Sequence, residues 1–233
     1  MGNMTKWKVI QEINSNLVKL VKLKYPWINV IPNQWPQLVQ YFEQYRPLIK
    51  SQVVIWRKPE IGWLKCNIDG ACRGNPGERS AAFCIRDVDG NLVYVEAKRL
   101  WITNSIHAEA RAIQGGIQHC IEQQRVSILI ESDSLAIINM TEGKWEAPWE
   151  IRMEITSINF WRKKGLVHFS HILREGNALA DFLANKVFNF AGTETVQYQN
   201  FQSLPSEARK LLNIDKQQLP QLRFSSYRNR EPD

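Results

Sequence analysis

Four acidic residues stand where a strand or helix meets a loop: Asp69 in NIDGA, Glu109 in HAEARAI, Asp133 in LIESDS and Asp181 in NALADF. Singly, each has an ordinary explanation. Asp69 suits an exposed strand end, Glu109 the flank of a helix stripe, Asp133 with Ser134 a helix N-cap, and Asp181 a solvent-facing helix position. Together they mean more. A sheet that sets the strands of Asp69 and Asp133 side by side gathers three or four carboxylates at one edge, where they repel unless a cation neutralises them. Hard divalent ions with oxygen ligands meet that need, and Mg²⁺ suits carboxylates that share it with phosphate oxygens.

The elements that must position these acids follow from periodicity. Leu64, Cys66 and Ile68 alternate with Lys65, Asn67 and Asp69, the pattern of a half-buried strand. GACRGNPGE reads as a turn, SAAFCIRDV as a second strand and LVYVEAKRLWI as a third, with Asp89-Gly90 signalling the hairpin between them. Ile106, Ala110, Ile113, Ile117 and Ile121 mark one stripe of a helix over 105–123. SILIESDS suits a strand buried on both faces and therefore parallel pairing. Helices near 134–142 and 148–163, a fifth strand VHFSHIL and a helix over GNALADFLANKVFNF complete a βββαβααβα order, hence a mixed sheet with helices on its faces. Trp145, Trp149 and Trp161, around the helix after the third acid, are expected as packing groups.

Upstream, Trp7, Ile10, Ile13, Leu17, Leu20 and Val21 recur at helical spacing among lysines, which predicts a basic amphipathic helix over 4–25. A second helix is expected over 36–50, followed by a lead-in linker, VVIWRKPEIGW. The organisation expected is a basic extension with linker over 1–60, a domain over 61–190, and a Gln-, Ser- and Pro-rich tail over 191–233 with a short helix around 206–212. The net charge of +7 in 233 residues points towards an acidic partner such as nucleic acid. Residues 1–60 hold nine basic and three acidic side chains, whereas 61–190 hold 15 of each, so the excess lies almost wholly in the extension.

Several classes are excluded. Nine Trp and nine Phe demand burial and argue against disorder throughout. No apolar run approaches the ~18 residues of a membrane helix. Cys66, Cys72, Cys84 and Cys120 form no CxxC pair and no disulfide or zinc framework. Lys6 stands where a myristoylation motif wants Ser or Thr. An intracellular protein, nuclear or cytoplasmic, with reduced thiols is expected.

IDGACRGNPG, HAEARAI, IESDS and REGNALADFLA, in that order on this pattern, resemble the four acidic motifs of the ribonuclease H type 1 family. The resemblance is closest to the plant domain at the C-terminal end of non-LTR retrotransposon reverse transcriptases and in related stand-alone genes, and it covers about 61–190. It implies an α/β ribonuclease H-like fold, a five-stranded mixed sheet whose first three strands are antiparallel, with helices on both faces. It also implies cleavage of the RNA strand of an RNA–DNA hybrid with two Mg²⁺ ions, or Mn²⁺ in their place. Asp69 would bridge both metals, Glu109 and Asp133 would bind one, and Asp181 the other. Gly70, Ala71 and Asn75 fall on the groove side of the motif, and Thr103 and Asn104 fall near a substrate-binding stretch.

The chain departs from that family in three places. The loop His before the last acid is missing; His171 reads as part of the fifth strand, and HILREGN matches the short-loop version, with Arg174 or Glu175 in that region. Leu135 replaces a hydrogen-bonding Gln. No basic handle is present. A catalytically weak or inactive nucleic-acid-binding module derived from a retroelement is therefore the alternative function. A third reading takes 1–60 as the former link to a polymerase domain.

Overall fold

The computed structural model describes residues 5–24, 28, 30–44, 49–74, 77–100, 104–190 and 194–226. In chain order the helices are α1 (Lys6–Lys24), α2 (Trp35–Gln44), α3 (Ser105–Glu122), α4 (Leu135–Thr141), α5 (Arg152–Arg162), α6 (Ala178–Lys186) and α7 (Ser206–Lys216). The strands are β1 (Ile49–Val54), β2 (Leu64–Gly74), β3 (Gly77–Arg86), β4 (Leu92–Leu100), β5 (Ser127–Ser132), β6 (Leu166–His171), β7 (Thr195–Tyr198) and β8 (Gln221–Ser226). The chain divides into two compact units, Met1–Gln52 with Arg223–Asp233, and Val53–Leu222.

The first unit contains α1 and α2, joined by a small core of Val18, Ile28, Ile31 and Leu38. The helix expected over 36–50 stops at Gln44, and the stretch from Ile49 is a strand paired with β8. Val53 and Val54, β-branched and placed in the lead-in linker by the sequence reading, favour the extended backbone.

The second unit is built on a six-stranded sheet of order β6-β5-β2-β3-β4-β7. β2, β3 and β4 form an antiparallel meander, while β5 and β6 run parallel to β2. Five of these strands are the expected ones. The sixth, β7, lies antiparallel to β4 in a region read from sequence as tail; four residues are too few for a clear period-2 signal. At the β3–β4 hairpin Gly90 has φ +80°, a conformation that costs glycine nothing.

Helices cover both faces. One layer packs Ile113 and Ile117 of α3 and Ile158 of α5 on Cys66, Ile68, Phe83 and Ile130. The other packs Leu179 and Leu183 of α6 with Ala208 and Leu212 of α7 on Ala82, Cys84, Val95 and Ala97. β2 is thus covered on both sides. Its polar alternates Lys65, Asn67 and Asp69, expected at a solvent-facing side, are at most 5% exposed. No helix among the described residues is long and apolar enough to cross a membrane. The four cysteines carry free thiols, and only Cys72 is exposed.

Candidate active site

Register brings the first two acids together. β2 and β5 pair Lys65 with Leu129 and Asn67 with Glu131, so two residues further along each chain Asp69 comes beside Asp133, just past the end of β5. Glu109 arrives from α3, on the opposite face, because the helix lies almost in van der Waals overlap with β2 at Gly70. A β-carbon at Gly70 would come within 2.8 Å of both the Ala108 β-carbon and the Glu109 backbone nitrogen. Glycine is required there by proximity rather than by torsion. Carboxylate oxygens of Asp69, Glu109 and Asp133 all lie within 4.8 Å of one another.

Neighbouring groups fix these side chains. Ser132 Oγ donates to Glu109 Oε2 at 3.3 Å and accepts from the Ser134 N–H at 3.0 Å, linking α3 to the β5–α4 turn. Ser134 holds the N-cap position of α4 with no side-chain cap bond, so the capping explanation of Asp133 and Ser134 does not hold. Glu154 of α5, buried, takes Arg111 of α3 at 3.0 Å and so ties down the helix that carries Glu109. His171 ends β6, and its Nε2 lies 3.2 Å from the Asp133 carbonyl oxygen.

Electrostatically the cluster is strained. Burial pushes the Asp69 carboxyl up to about 7, with the charges of Asp133 and Asp181 adding to the effect and the Gly70 N–H and Arg174 opposing it. Burial also raises Glu109 well above the usual carboxylate range, reinforced by Asp69 and Asp133. Asp133 is raised by burial, with Arg174 and His171 opposing.

Asp181 stands apart from the three. It lies on the first turn of α6 and accepts from Arg174 Nη2 at 3.0 Å, in a pair that is largely exposed on the arginine side. Its charge still reaches Asp69 and Asp133. Asn104 is the N-cap of α3: Oδ1 accepts from the His107 N–H at 3.0 Å, and Nδ2 donates to Glu150 at 2.9 Å. The Ala71 side chain belongs to the α6-side core, leaving only its main chain for any ligand. Asn75 and Thr103 lie outside the described residues. Trp145 and Trp149, expected as packing groups, are 51% and 78% exposed, whereas Trp161 packs partly on the core. Sequence reasoning passed over Ser132 and Asn177, whose only sign in the chain is their place inside the third and fourth motifs.

A meander of three strands, two parallel strands added at β2, and acids at the β2, β5 and α3 junction define the ribonuclease H fold. The RNase H1 of the halophilic archaeon Halobacterium salinarum superposes with a TM-score of 0.52 at 22% identity, over 55% of this chain and 98% of that one. The N-terminal RNase H domain of a Mycobacterium tuberculosis protein, solved as a fusion with maltose binding protein, also gives 0.52, at 18% identity over 55% and 94%. LC11-RNase H1, isolated from compost by a metagenomic approach, gives 0.52 at 23% identity over 55% and 97%. The chain belongs to the reverse transcriptase-like family, whose model matches residues 67–187. An Arabidopsis thaliana protein provisionally named as a ribonuclease H is 28% identical over 166 residues. That alignment takes in 71% of this chain, which spans only 26% of the relative's length. The domain is of ribonuclease H type.

Proposed function

We propose that this domain is a divalent-metal-dependent endonuclease that hydrolyses the RNA strand of RNA–DNA hybrids. The observation that carries the reading is the convergence of Asp69 from β2, Glu109 from α3 and Asp133 from the turn after β5 on one point where burial and mutual repulsion disfavour their charged forms. An all-oxygen donor set with surplus negative charge suits hard divalent ions such as Mg²⁺ or Mn²⁺.

Asp69, at the centre, would be the shared ligand, with Glu109 and Asp133 on one side and Asp181 on the other. Two such ions held there would supply Lewis acidity for activating water and would offset charge on the departing 3′ oxygen. The protein's own part is positional. Ser132 orients Glu109, and Arg174 holds Asp181 while keeping a positive charge near the cluster. His171 is fixed to the Asp133 main chain at the site's edge.

In this reading residues 61–190 carry the catalytic acids, and the basic extension 1–60 adds affinity for the phosphate backbone. Gly70, Ala71 through its main chain and Asn104 would face the hybrid's minor groove, where 2′-hydroxyls distinguish RNA from DNA, and Asn75 and Thr103 are assigned to the same role by their place in the motifs alone.

The test is cleavage of an end-labelled RNA–DNA hybrid at millimolar Mg²⁺ or Mn²⁺ by the wild-type chain and by Asp69→Asn. Metal-dependent products from the wild type alone support the reading. Absence of products from both, with hybrid still bound in a salt-dependent way, supports instead the non-catalytic binding module, which the exposed Leu135 in place of a base-contacting Gln favours.

A further inference from the structure

Asn177 is the N-cap of α6, a position where an Asn side chain ordinarily accepts from the first free N–H groups of its own helix. Here no such bond is made. Both ends of the amide are turned into the sheet instead. Nδ2 donates to the Ile68 carbonyl at 2.9 Å, one peptide before Asp69, and Oδ1 accepts from Asn67 Nδ2 at 3.2 Å. The residue is 1% exposed.

Asn67 is itself the centre of a buried network. Its Oδ1 accepts from Arg86 Nη2 at 2.7 Å and from Trp56 Nε1 at 3.0 Å, and its Nδ2 also reaches Glu131 Oε2 at 3.2 Å. Glu131 lies two residues before Asp133 and pairs with Lys65 at 2.7 Å. Arg86 stacks on the Trp56 ring at 3.7 Å and pairs with Asp215 of α7 at 2.5 Å. One continuous set of hydrogen bonds therefore meets the strand of Asp69, the strand that leads to Asp133 and the N-cap of the helix that carries Asp181.

We propose that Asn177 is a positioning residue for the carboxylate site, and that the Arg86–Asp215 pair supports the site through Asn67 and Asn177. The inference rests on reading the cluster as a divalent-cation site. The chemistry selects the amide. Leucine could fill the space but could not fix the α6 terminus to the β2 main chain. Aspartate would lose the donor to Ile68 and add a further negative charge beside Asp69. Metal geometry tolerates displacements of only about 0.5 Å, so a loosened α6 shifts Asp181, whose charge reaches Asp69 and Asp133, relative to the other acids.

Mn²⁺ titration calorimetry of the full chain tests this, with thermal unfolding run in parallel on the same samples. Asn177→Ala is expected to weaken Mn²⁺ binding about 10-fold, the usual effect of losing an outer partner of metal ligands. Asp215→Asn is expected to give a smaller loss in the same direction, and it decides the question if Asn177→Ala does not fold. Leu212→Ala, which removes buried apolar packing from α7 without touching the network, is expected to lower Tm while leaving Mn²⁺ affinity at the wild-type value. Wild-type affinity in both polar variants, or an equal loss in Leu212→Ala, overturns the inference while leaving the metal site standing. A wild-type chain that takes up no Mn²⁺ overturns the site and the inference together.

Discussion

β2 and β5 carry two buried polar clusters only two residues apart, and the two are opposite in design. At the level of Asn67 and Glu131, each charge has a counter-charge: Lys65 faces Glu131, and Arg86 faces Asp215. At the level of Asp69 and Asp133, each charge faces another of the same sign, and Glu109 adds a third. The first cluster is buried, and in the second Asp69 is buried while Glu109 and Asp133 are half-buried; a charge withdrawn from water is costly unless compensated. The first is complete within the protein. The second has Arg174 as its nearby cation and otherwise gathers like charges, the arrangement that the proposed divalent-cation site would complete.

Four predictions break or sharpen that contrast, in order of expected effect. Arg86→Ala leaves Asp215 buried without its partner and should cost about 3–5 kcal/mol of unfolding free energy, read by urea denaturation. A loss below about 1 kcal/mol would mean that the network is not self-sufficient as described.

Gly70→Ala should press α3 away from β2, destabilising the domain by about 1–3 kcal/mol and lowering metal affinity because Glu109 leaves Asp69. Denaturation and Mn²⁺ titration on one preparation check both effects. Affinity unchanged in a destabilised variant would separate Glu109 from the site.

Asp69→Asn should do the reverse to stability. The folded carboxyl, at about 7, holds its proton more tightly than the unfolded one, at about 3.9, so the folded chain binds more protons between those values and loses stability as pH rises through the window. Removing the charge should raise the Tm of the metal-free protein by roughly 5 °C at pH 8 and by almost nothing at pH 4. Stabilisation equal at both pH values would contradict the electrostatic account.

Trp149→Ala, at an exposed position on neither cluster, should change stability by less than about 0.5 kcal/mol.

Much of this was legible in the chain. Alternation through Leu64, Cys66 and Ile68, the Asp89-Gly90 hairpin and the stripe of α3 yield five of the six strands and the meeting of Asp69 with Asp133. Period-2 alternation does not say what covers the polar side. Lys65, Asn67 and Asp69 look solvated until α6 and α7 are laid over them, and α7 lies in a stretch whose composition suggests a tail. The partners that bury those residues, Arg86 and Asp215, are 129 residues apart, and nothing local links them. The resemblance puts Gly70 on the groove side, whereas its role in admitting α3 depends on Ala108, 38 residues on, and has no local signal. Asp181 shows the remaining gap, since helical periodicity places it on the polar face without revealing that Arg174 holds it.

The central claim is that the acid cluster is a cation site whose carboxylates must lose protons to be filled. It is tested most directly by titrating Mg²⁺ or Mn²⁺ into the wild-type chain at pH 6, 7 and 8 in buffers of different ionisation enthalpy. The account predicts binding that strengthens with pH, proton release near pH 7, and loss of both in Asp69→Asn. Binding of equal strength at all three pH values, or binding retained by Asp69→Asn, would contradict it.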